Sequence, residues 1–154
     1  MIEGALVFLQ VSAAEGFDGL KRKIFQLRKT RKIRNASSVY RRFSVEGPGE
    51  TIEVVIEIEV EPTDAGMAEL HLELEAVDGS LLMVRNELTI DPEFPIPHQR
   101  LLLETFILKM AAEIAPYWEH RVKQEPLQAL ATKNPHRETV EFLTQGAALI
   151  TLSV

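Results

Sequence analysis

A strict two-residue alternation between positions 52 and 61 limits what this chain can fold into. Apolar side chains occupy every second position, and glutamates fill four of the five alternate positions. The apolar members are Ile52, Val54, Ile56, Ile58 and Val60, and the acidic members are Glu53, Glu57, Glu59 and Glu61. Successive side chains of a β-strand point to opposite faces of a sheet. The pattern therefore predicts a strand with one face in the core and one acidic face in solvent.

A similar alternation follows before position 91. Apolar residues recur at Leu70, Leu72, Leu74 and Ala76, and then at Leu82, Val84, Leu88 and Ile90. Glu69, Glu73 and Glu75 would extend the acidic face. Asp78-Gly79 is a hairpin signal, and a three-residue loop or a bulge there would keep the apolar side chains on one face. We therefore predict two further strands joined by a hairpin.

Three other segments have the patterns of regular elements. Ala5 to Ser12 is a compact apolar run, which predicts a strand buried on both faces. From Phe17 the apolar residues follow helical spacing, and basic residues surround them. Residues 98–115 predict a long helix that is apolar around most of its circumference, so it should contact two surfaces.

The end of the chain and the fold class follow from the same reasoning. Residues 134–145 predict a short helix, and the alternation in residues 147–154 predicts a last strand. The order of elements indicates an α+β fold in a single domain spanning residues 1–154. We expect a largely antiparallel sheet of about five to six strands, packed by the long apolar helix and carrying an N-terminal basic helix.

Charge is divided sharply along the chain. Residues 21–42 hold 10 of the 17 Lys and Arg residues and no acid. These cations, called the basic segment below, are Lys21, Arg22, Lys23, Arg28, Lys29, Arg31, Lys32, Arg34, Arg41 and Arg42. Residues 46–93 hold 14 of the 23 acids and one base, Arg85. A contrast of this size predicts contact between the two regions, between copies of the chain, or with a polyanion.

No local motif for catalysis or cofactor binding is present. The absence of cysteine excludes disulfides, thiolate metal sites and cysteine nucleophiles, and neither a G-x-S-x-G sequence nor a P-loop occurs. His71 lies between Glu69 and Glu73, but one strand cannot converge such ligands on a metal ion. Glu104 lies inside the apolar arc of the long helix, and we interpret it as an early-turn acid that the helix dipole favours or that reaches the rim; the alternative is a buried paired carboxylate of a functional site. We expect no metal, no cofactor and no enzyme activity.

The sequence also bears on location. The most apolar long stretch, residues 101–118, is interrupted by Glu104, Lys109 and Glu113, so it does not resemble a membrane-spanning helix. The N-terminus carries an early acid and lacks the basic region of a secretory signal. We therefore expect a soluble, cytoplasmic protein without membrane contact.

The charge layout favours a non-enzymatic assembly protein. The basic segment of one copy would meet the acidic face of another copy, or of a protein partner, and the apolar helix would supply buried area. The alternative is a nucleic-acid-binding module that uses the basic segment to contact phosphates. The isoelectric point of about 5.3 counts against that alternative. An enzyme without a local motif would require a deep polar pocket.

One family resemblance accompanies these interpretations. The acidic alternating segments, followed by Phe94-Pro95 and the apolar helix, resemble the export chaperone SecB over roughly residues 52–115. SecB is also a small acidic oligomer, so the resemblance implies a homo-oligomeric chaperone. It depends on pattern and not on a motif, and it leaves the helical basic segment unexplained.

Overall fold

The computed structural model describes residues 1–43, 49–91 and 93–150. The strands are β1 (Glu3–Ser12), β2 (Ile33–Ala36), β3 (Val39–Phe43), β4 (Glu50–Val60), β5 (Ser80–Val84), β6 (Glu119–His120), β7 (Glu125–Pro126) and β8 (Thr139–Thr144). The helices are α1 (Gly16–Arg28), α2 (Asp64–Ala76), α3 (Arg100–Leu103), α4 (Thr105–Ile114), α5 (Leu127–Lys133) and α6 (Ala147–Ile150).

Six strands form one antiparallel sheet in the described residues. Its order is β5-β1-β4-β3-β8, and β2 pairs with the far end of β4. The two longest strands, β1 and β4, run side by side from the pair Glu3–Val60 to the pair Ser12–Thr51. The predicted α+β class and antiparallel sheet are therefore confirmed, as is the basic helix α1.

Apolar side chains cover both faces of this sheet. On one face, Leu20 and Ile24 of α1 and Leu70 of α2 pack against alternate residues of β1 and β4. On the other face, Phe106 and Met110 of α4 pack against the remaining set, together with α3 and α5. The central strands are thus buried on both sides, although the alternation in β4 predicted a solvated acidic side.

The predicted hairpin between residues 70 and 90 is wrong. The Thr63 hydroxyl caps α2 by accepting a hydrogen bond from the Gly66 backbone N–H at 3.0 Å. Residues Leu70 and Leu74 are buried and lie four positions apart, so one face of the helix packs on the sheet. Asp78-Gly79 then joins this helix to β5 and not two strands to each other. The leucine spacing suits a strand and a helix equally, and packing selects the helix.

The predicted long helix over residues 98–115 is interrupted. Its two parts, α3 and α4, meet at Glu104, whose backbone is extended at φ −106° and ψ 92°. Leu101, Phe106 and Met110 are all fully buried on the same side of the sheet. The apolar residues on both sides of the break therefore stay in one core, and Glu104 itself is not helical.

At the end of the chain the structure has a strand followed by a helix, whereas the sequence predicted a helix followed by a strand. Residues Thr139–Thr144 form β8, paired with β3, where the sequence predicted a helix. Residues Ala147–Ile150 form α6, where it predicted a strand whose end, 151–154, lies outside the described residues. Between them Gly146 approaches the backbone so closely that a Cβ there would lie 2.0 Å from the Ser37 carbonyl oxygen. This long-range contact has no local sequence signal.

None of the helices in residues 1–43, 49–91 and 93–150 has the length and apolar character needed to cross a membrane.

Candidate functional site

A cleft of about 390 Å³ opens where α2, the start of β5 and residues 93–98 meet. Its polar lining consists of His71, Glu75, Asp78, Ser80, Glu93 and His98. These residues come from three separate parts of the chain, and three of them are carboxylates. The cleft therefore combines hydrogen-bond acceptors with titratable rings on one rim.

The turn that ends α2 positions Asp78. Its backbone N–H donates to the Glu75 carbonyl at 3.2 Å, and the Gly79 N–H donates to the Leu74 carbonyl at 2.8 Å. Asp78 adopts a left-handed backbone conformation at φ 55°. Aspartate tolerates this conformation better than most residues, and such a turn commonly ends a helix. The Asp78 carboxylate is thus held at the lip of the cleft by backbone bonds.

Two rings meet on another wall. The His71 imidazole and the Phe94 ring lie with centroids 4.1 Å apart and planes tilted by 32°. Burial lowers the pKa of His71, and the nearby Asp91 charge opposes that shift. At neutral pH the imidazole is therefore uncharged, and the pair presents a flat, weakly polar surface.

A hydrogen bond at Nδ1 selects one tautomer of the neutral His98 ring. Its backbone N–H donates to the Leu82 carbonyl at 2.7 Å, and its Nδ1 accepts a hydrogen bond from the Arg100 backbone N–H at 3.0 Å. Burial lowers the pKa of His98, Arg100 lowers it further, and Glu104 opposes them. The neutral ring consequently carries its proton on Nε2, which makes it a hydrogen-bond donor at that atom.

Arg100 connects the cleft to a second polar group. Its Nη1 donates to Ser80 Oγ at 2.9 Å, and its Nε and Nη2 donate to the two carboxylate oxygens of Glu104. The guanidinium also lies 4.9 Å from the ring centroid of Phe8. Hydrogen bonds to two residues and one ring against the guanidinium therefore fix its orientation.

Glu53 is the anion at the centre of that second group. Its side chain is 0% exposed, so the prediction that it lies on a solvent-facing acidic surface is wrong. Oε2 accepts hydrogen bonds from Gln10 at 2.8 Å, from Thr51 at 2.7 Å and from Arg42 Nε at 3.0 Å, and Arg42 Nη2 lies 2.8 Å from it in a salt bridge. Oε1 is buried and has no hydrogen-bond partner within the described residues. Helices α3 to α5 cover this face of the sheet, and the sequence pattern of β4 alone cannot reveal such a cover.

Much of the basic segment lies against acids of the same chain. Arg31 pairs with Glu73 at 2.6 Å, and Arg34 lies between Glu57 at 3.4 Å and Glu59 at 3.0 Å. Further pairs are Arg41 with Glu50, Arg42 with Glu53 and Lys21 with Asp18, and Lys23 donates to the Val77 carbonyl. Within the described residues, Arg22, Arg28, Lys29 and Lys32 form no ion pair.

The predicted acidic residues do not share one surface. Glu53, Glu57 and Glu59 belong to β4, and Glu61 follows it. Glu69, Glu73 and Glu75 lie on α2, so the predicted continuation of the acidic sheet face is wrong. In the part of the chain that the structure describes, no three His, Asp or Glu side chains lie close enough together to hold a metal ion.

Sequence reasoning missed most of the cleft. Asp78 was interpreted as a hairpin residue, and His98 and Arg100 were not singled out. His71 was considered only as a ligand on a strand, whereas α2 turns it toward Phe94. Glu104 is marked by the sequence as unusual, and the structure pairs it with two arginines, but its side chain is 30% exposed and so is not the buried carboxylate of that interpretation.

Comparison with known proteins adds information on the fold. No protein-family model matches the chain, and no curated protein matches it in sequence. A crystal structure of Plasmodium falciparum HPPK-DHPS A437G with SDX-DHP is similar, with 10% identity and a TM-score of 0.60. The wild-type Plasmodium falciparum protein with pterin and p-hydroxybenzoate gives 10% identity and a TM-score of 0.64. A structure of HPPK-DHPS in complex with substrates gives 11% identity and a TM-score of 0.65.

These three matches cover 86% of this chain but only 43 to 44% of the solved chains. The chain thus spans less than half the length of the proteins it resembles. At such low identities the likeness shows the fold alone, which this chain shares with part of the HPPK-DHPS chains.

The prediction of a non-enzymatic assembly protein is contradicted by these comparisons, because the solved structures that share the fold are enzymes. The alternatives of a nucleic-acid-binding module and a SecB-like chaperone are overturned by the same finding. The homo-oligomer, the protein partner and the single domain stay predictions, as does binding at the basic segment.

Proposed function

We propose that this chain is an enzyme that transfers a pyrophosphoryl group from a nucleoside triphosphate to a hydroxyl group of a pterin-like heterocycle. One observation carries the proposal. A single cleft is lined by a flat ring pair, by carboxylates and by Ser80, whose hydroxyl accepts a hydrogen bond from Arg100. The likeness to HPPK-DHPS solved with pterin and with substrates supports this choice of substrate class.

The heterocycle would occupy the side of the cleft formed by α2 and residues 93–96. Its flat face would stack on the His71–Phe94 pair, since offset aromatic contacts add about 0.5–1.5 kcal/mol beyond area burial. Its ring N–H and amino groups would donate to the carboxylates of Glu75 and Glu93, which line the same space. Both kinds of contact favour a flat, nitrogen-rich ligand over an aliphatic one.

The phosphates would occupy the side nearest Ser80 and Arg100, because a guanidinium matches the geometry of phosphate oxygens. The hydroxyl oxygen of the heterocycle attacks the β-phosphorus, and the bond from that phosphorus to the α–β bridging oxygen breaks. The nucleoside monophosphate leaves with that oxygen, and the hydroxyl proton passes to the Asp78 carboxylate. The Nε2–H of His98 would donate a hydrogen bond to a phosphate oxygen.

The proposal also includes a cytoplasmic location for this enzyme.

The test measures binding and turnover separately. Isothermal titration with pterin reports binding, and formation of AMP from ATP in the presence of a hydroxymethyl pterin reports transfer. Asp78→Asn should retain pterin binding within about threefold and lower the rate of AMP formation by about 100-fold or more. Glu69→Gln is the matched control, since Glu69 is exposed on the same helix and does not line the cleft.

Two results would refute this function. One is the absence of pterin binding at millimolar concentration by the folded wild-type protein. The other is AMP formation that does not depend on the pterin, or that Asp78→Asn and Glu69→Gln change equally.

A further inference from the structure

Two arginines converge on one exposed carboxylate beside the cleft. Arg100 holds Glu104 through both of its carboxylate oxygens, and Arg42 Nη1 lies 3.8 Å from Glu104 Oε1. The three side chains come from β3, α3 and the break between α3 and α4. Their guanidinium groups thus share a single anion, although each could bind an anion in two-point fashion.

The two acids in this cluster differ in their freedom to move. Glu53 is completely buried, accepts three hydrogen bonds and forms a salt bridge with Arg42, so it holds Arg42 in place. The side chain of Glu104 is 30% exposed, and its backbone lies outside both adjoining helices. A partly exposed carboxylate at a helix break can leave its partners at low cost, since such ion pairs contribute about 1 kcal/mol or less.

We propose that Arg42 and Arg100 are the phosphate-binding pair of this protein, and that the Glu104 carboxylate occupies their site until a phosphate group of the substrate displaces it. The inference depends on the proposed function, because it assigns residues to the phosphate-bearing substrate that the function requires. It goes beyond that function by making Glu104 an internal competitor of the substrate.

The fixed parts of the cluster suit this role. Phe8 and Ser80 hold the Arg100 guanidinium in place independently of Glu104. Arg42 keeps its Nε hydrogen bond and its Nη2 salt bridge to Glu53, which leaves Nη1 as the atom nearest Glu104, at 3.8 Å. When Glu104 leaves, the two arginines and Glu53 carry a net charge of +1. An arriving phosphate then meets two preorganised donors next to Ser80 of the cleft.

The competition gives the two variants opposite effects. Glu104→Gln removes the competing charge and preserves the size of the side chain, so affinity for an anion should rise by about fivefold. Arg100→Gln removes one of the two donors and should lower affinity by about tenfold or more. If the cluster were only structural, both changes would leave anion affinity unaltered.

The experiment is an isothermal calorimetric titration of the whole protein with inorganic pyrophosphate at low ionic strength. Wild type, Glu104→Gln and Arg100→Gln are compared with Glu119→Gln, which removes an exposed carboxylate on β6. Tighter binding in Glu104→Gln alone, together with weaker binding in Arg100→Gln, supports the proposal. Circular dichroism confirms that each variant is folded, and Arg42→Lys serves as a second test that keeps the charge.

Unchanged or weaker binding in Glu104→Gln overturns the proposal, as does equal tightening in Glu119→Gln. Lack of pyrophosphate binding by every folded variant overturns it too. A separate titration with pterin distinguishes failure of the anion site from failure of the proposed function. A protein that binds pyrophosphate as described but does not bind pterin refutes the heterocycle assignment and preserves the anion site. The reverse result refutes the anion site alone.

Discussion

Arg42 donates a hydrogen bond from Nε to Glu53 Oε2 at 3.0 Å, its Nη2 lies 2.8 Å from the same oxygen in a salt bridge, and the carboxylate is wholly buried. Burying an unpaired carboxylate at such a position would strongly destabilise the fold, and the positive charge of Arg42 offsets that cost. The pair joins neighbouring strands, since Arg42 lies on β3 and Glu53 on β4. It is therefore a structural requirement of the sheet as well as the anchor of the proposed phosphate site.

Replacing Arg42 by alanine should destabilise the protein severely. The change leaves Glu53 buried without its cation, and loss of one partner from a buried pair costs about 3–5 kcal/mol. Urea unfolding followed by circular dichroism measures this change in the free energy of unfolding. Arg22→Ala, at an exposed position on α1, should change the free energy by less than about 0.5 kcal/mol. Similar losses in both variants would contradict the argument.

His120 should make stability depend on pH. Its side chain is 2% exposed, its Nδ1 accepts a hydrogen bond from the Lys123 backbone N–H at 3.1 Å, and burial lowers its pKa, with Lys123 as a lesser cause. The unfolded chain then binds more protons than the folded chain between the lowered pKa and about 6.5. The contribution of neutral His120 is complete above about pH 6.5 and is lost as the pH falls below it.

The measurement for His120 is the free energy of unfolding at pH 7.5 and pH 5. The wild type should lose more stability over this range than His120→Gln, because glutamine does not titrate. His71 and His98, whose pKa values are also lowered by burial, supply the dependence that remains in the variant. Equal losses in the two proteins would show that His120 protonation does not oppose folding.

The ring pair of the cleft should matter for ligand affinity. Phe94→Ala removes the ring 4.1 Å from His71, and pterin affinity should fall by about five- to tenfold, since a stacked pair contributes about 1 kcal/mol. Phe94→Tyr keeps the ring and should bind within about twofold of wild type. Phe25→Ala removes another exposed aromatic side chain, on α1, and is the matched control. Isothermal titration gives the three dissociation constants, and an equal effect of Phe25→Ala would refute the assignment.

Some elements could be predicted because their patterns admit one geometry. The apolar run of β1 and the alternation of β4 each extend over most of a strand of 10 or 11 residues, and both strands are found where the sequence placed them. The stripe of Leu20, Ile24 and Leu27 likewise defined α1. In α2 the spacing of Leu70 and Leu74 is compatible with the period of a strand and with that of a helix, so the local pattern does not distinguish the two structures.

The candidate site could hardly be predicted, because its members are distant in sequence. Glu53 and Arg42 are eleven positions apart, and Ser80 and Arg100 are twenty apart. Their chemistry depends on burial, which is decided by helices α3 to α5 covering the second face of the sheet. Glu104 illustrates the difference, since the sequence marked it as unusual but could not identify either arginine partner.

By itself, the sequence determined the class of the fold, its two central strands, its first helix and the separation of charge between residues 21–42 and 46–93. These are local properties, fixed by side-chain periodicity and composition. Only the tertiary structure decided that α2 is a helix, that Glu53 is buried and that much of the basic segment is paired within its own chain. Burial and pairing arise from packing between segments that are distant in the chain. The interaction energy of that packing cannot be derived from any one segment alone.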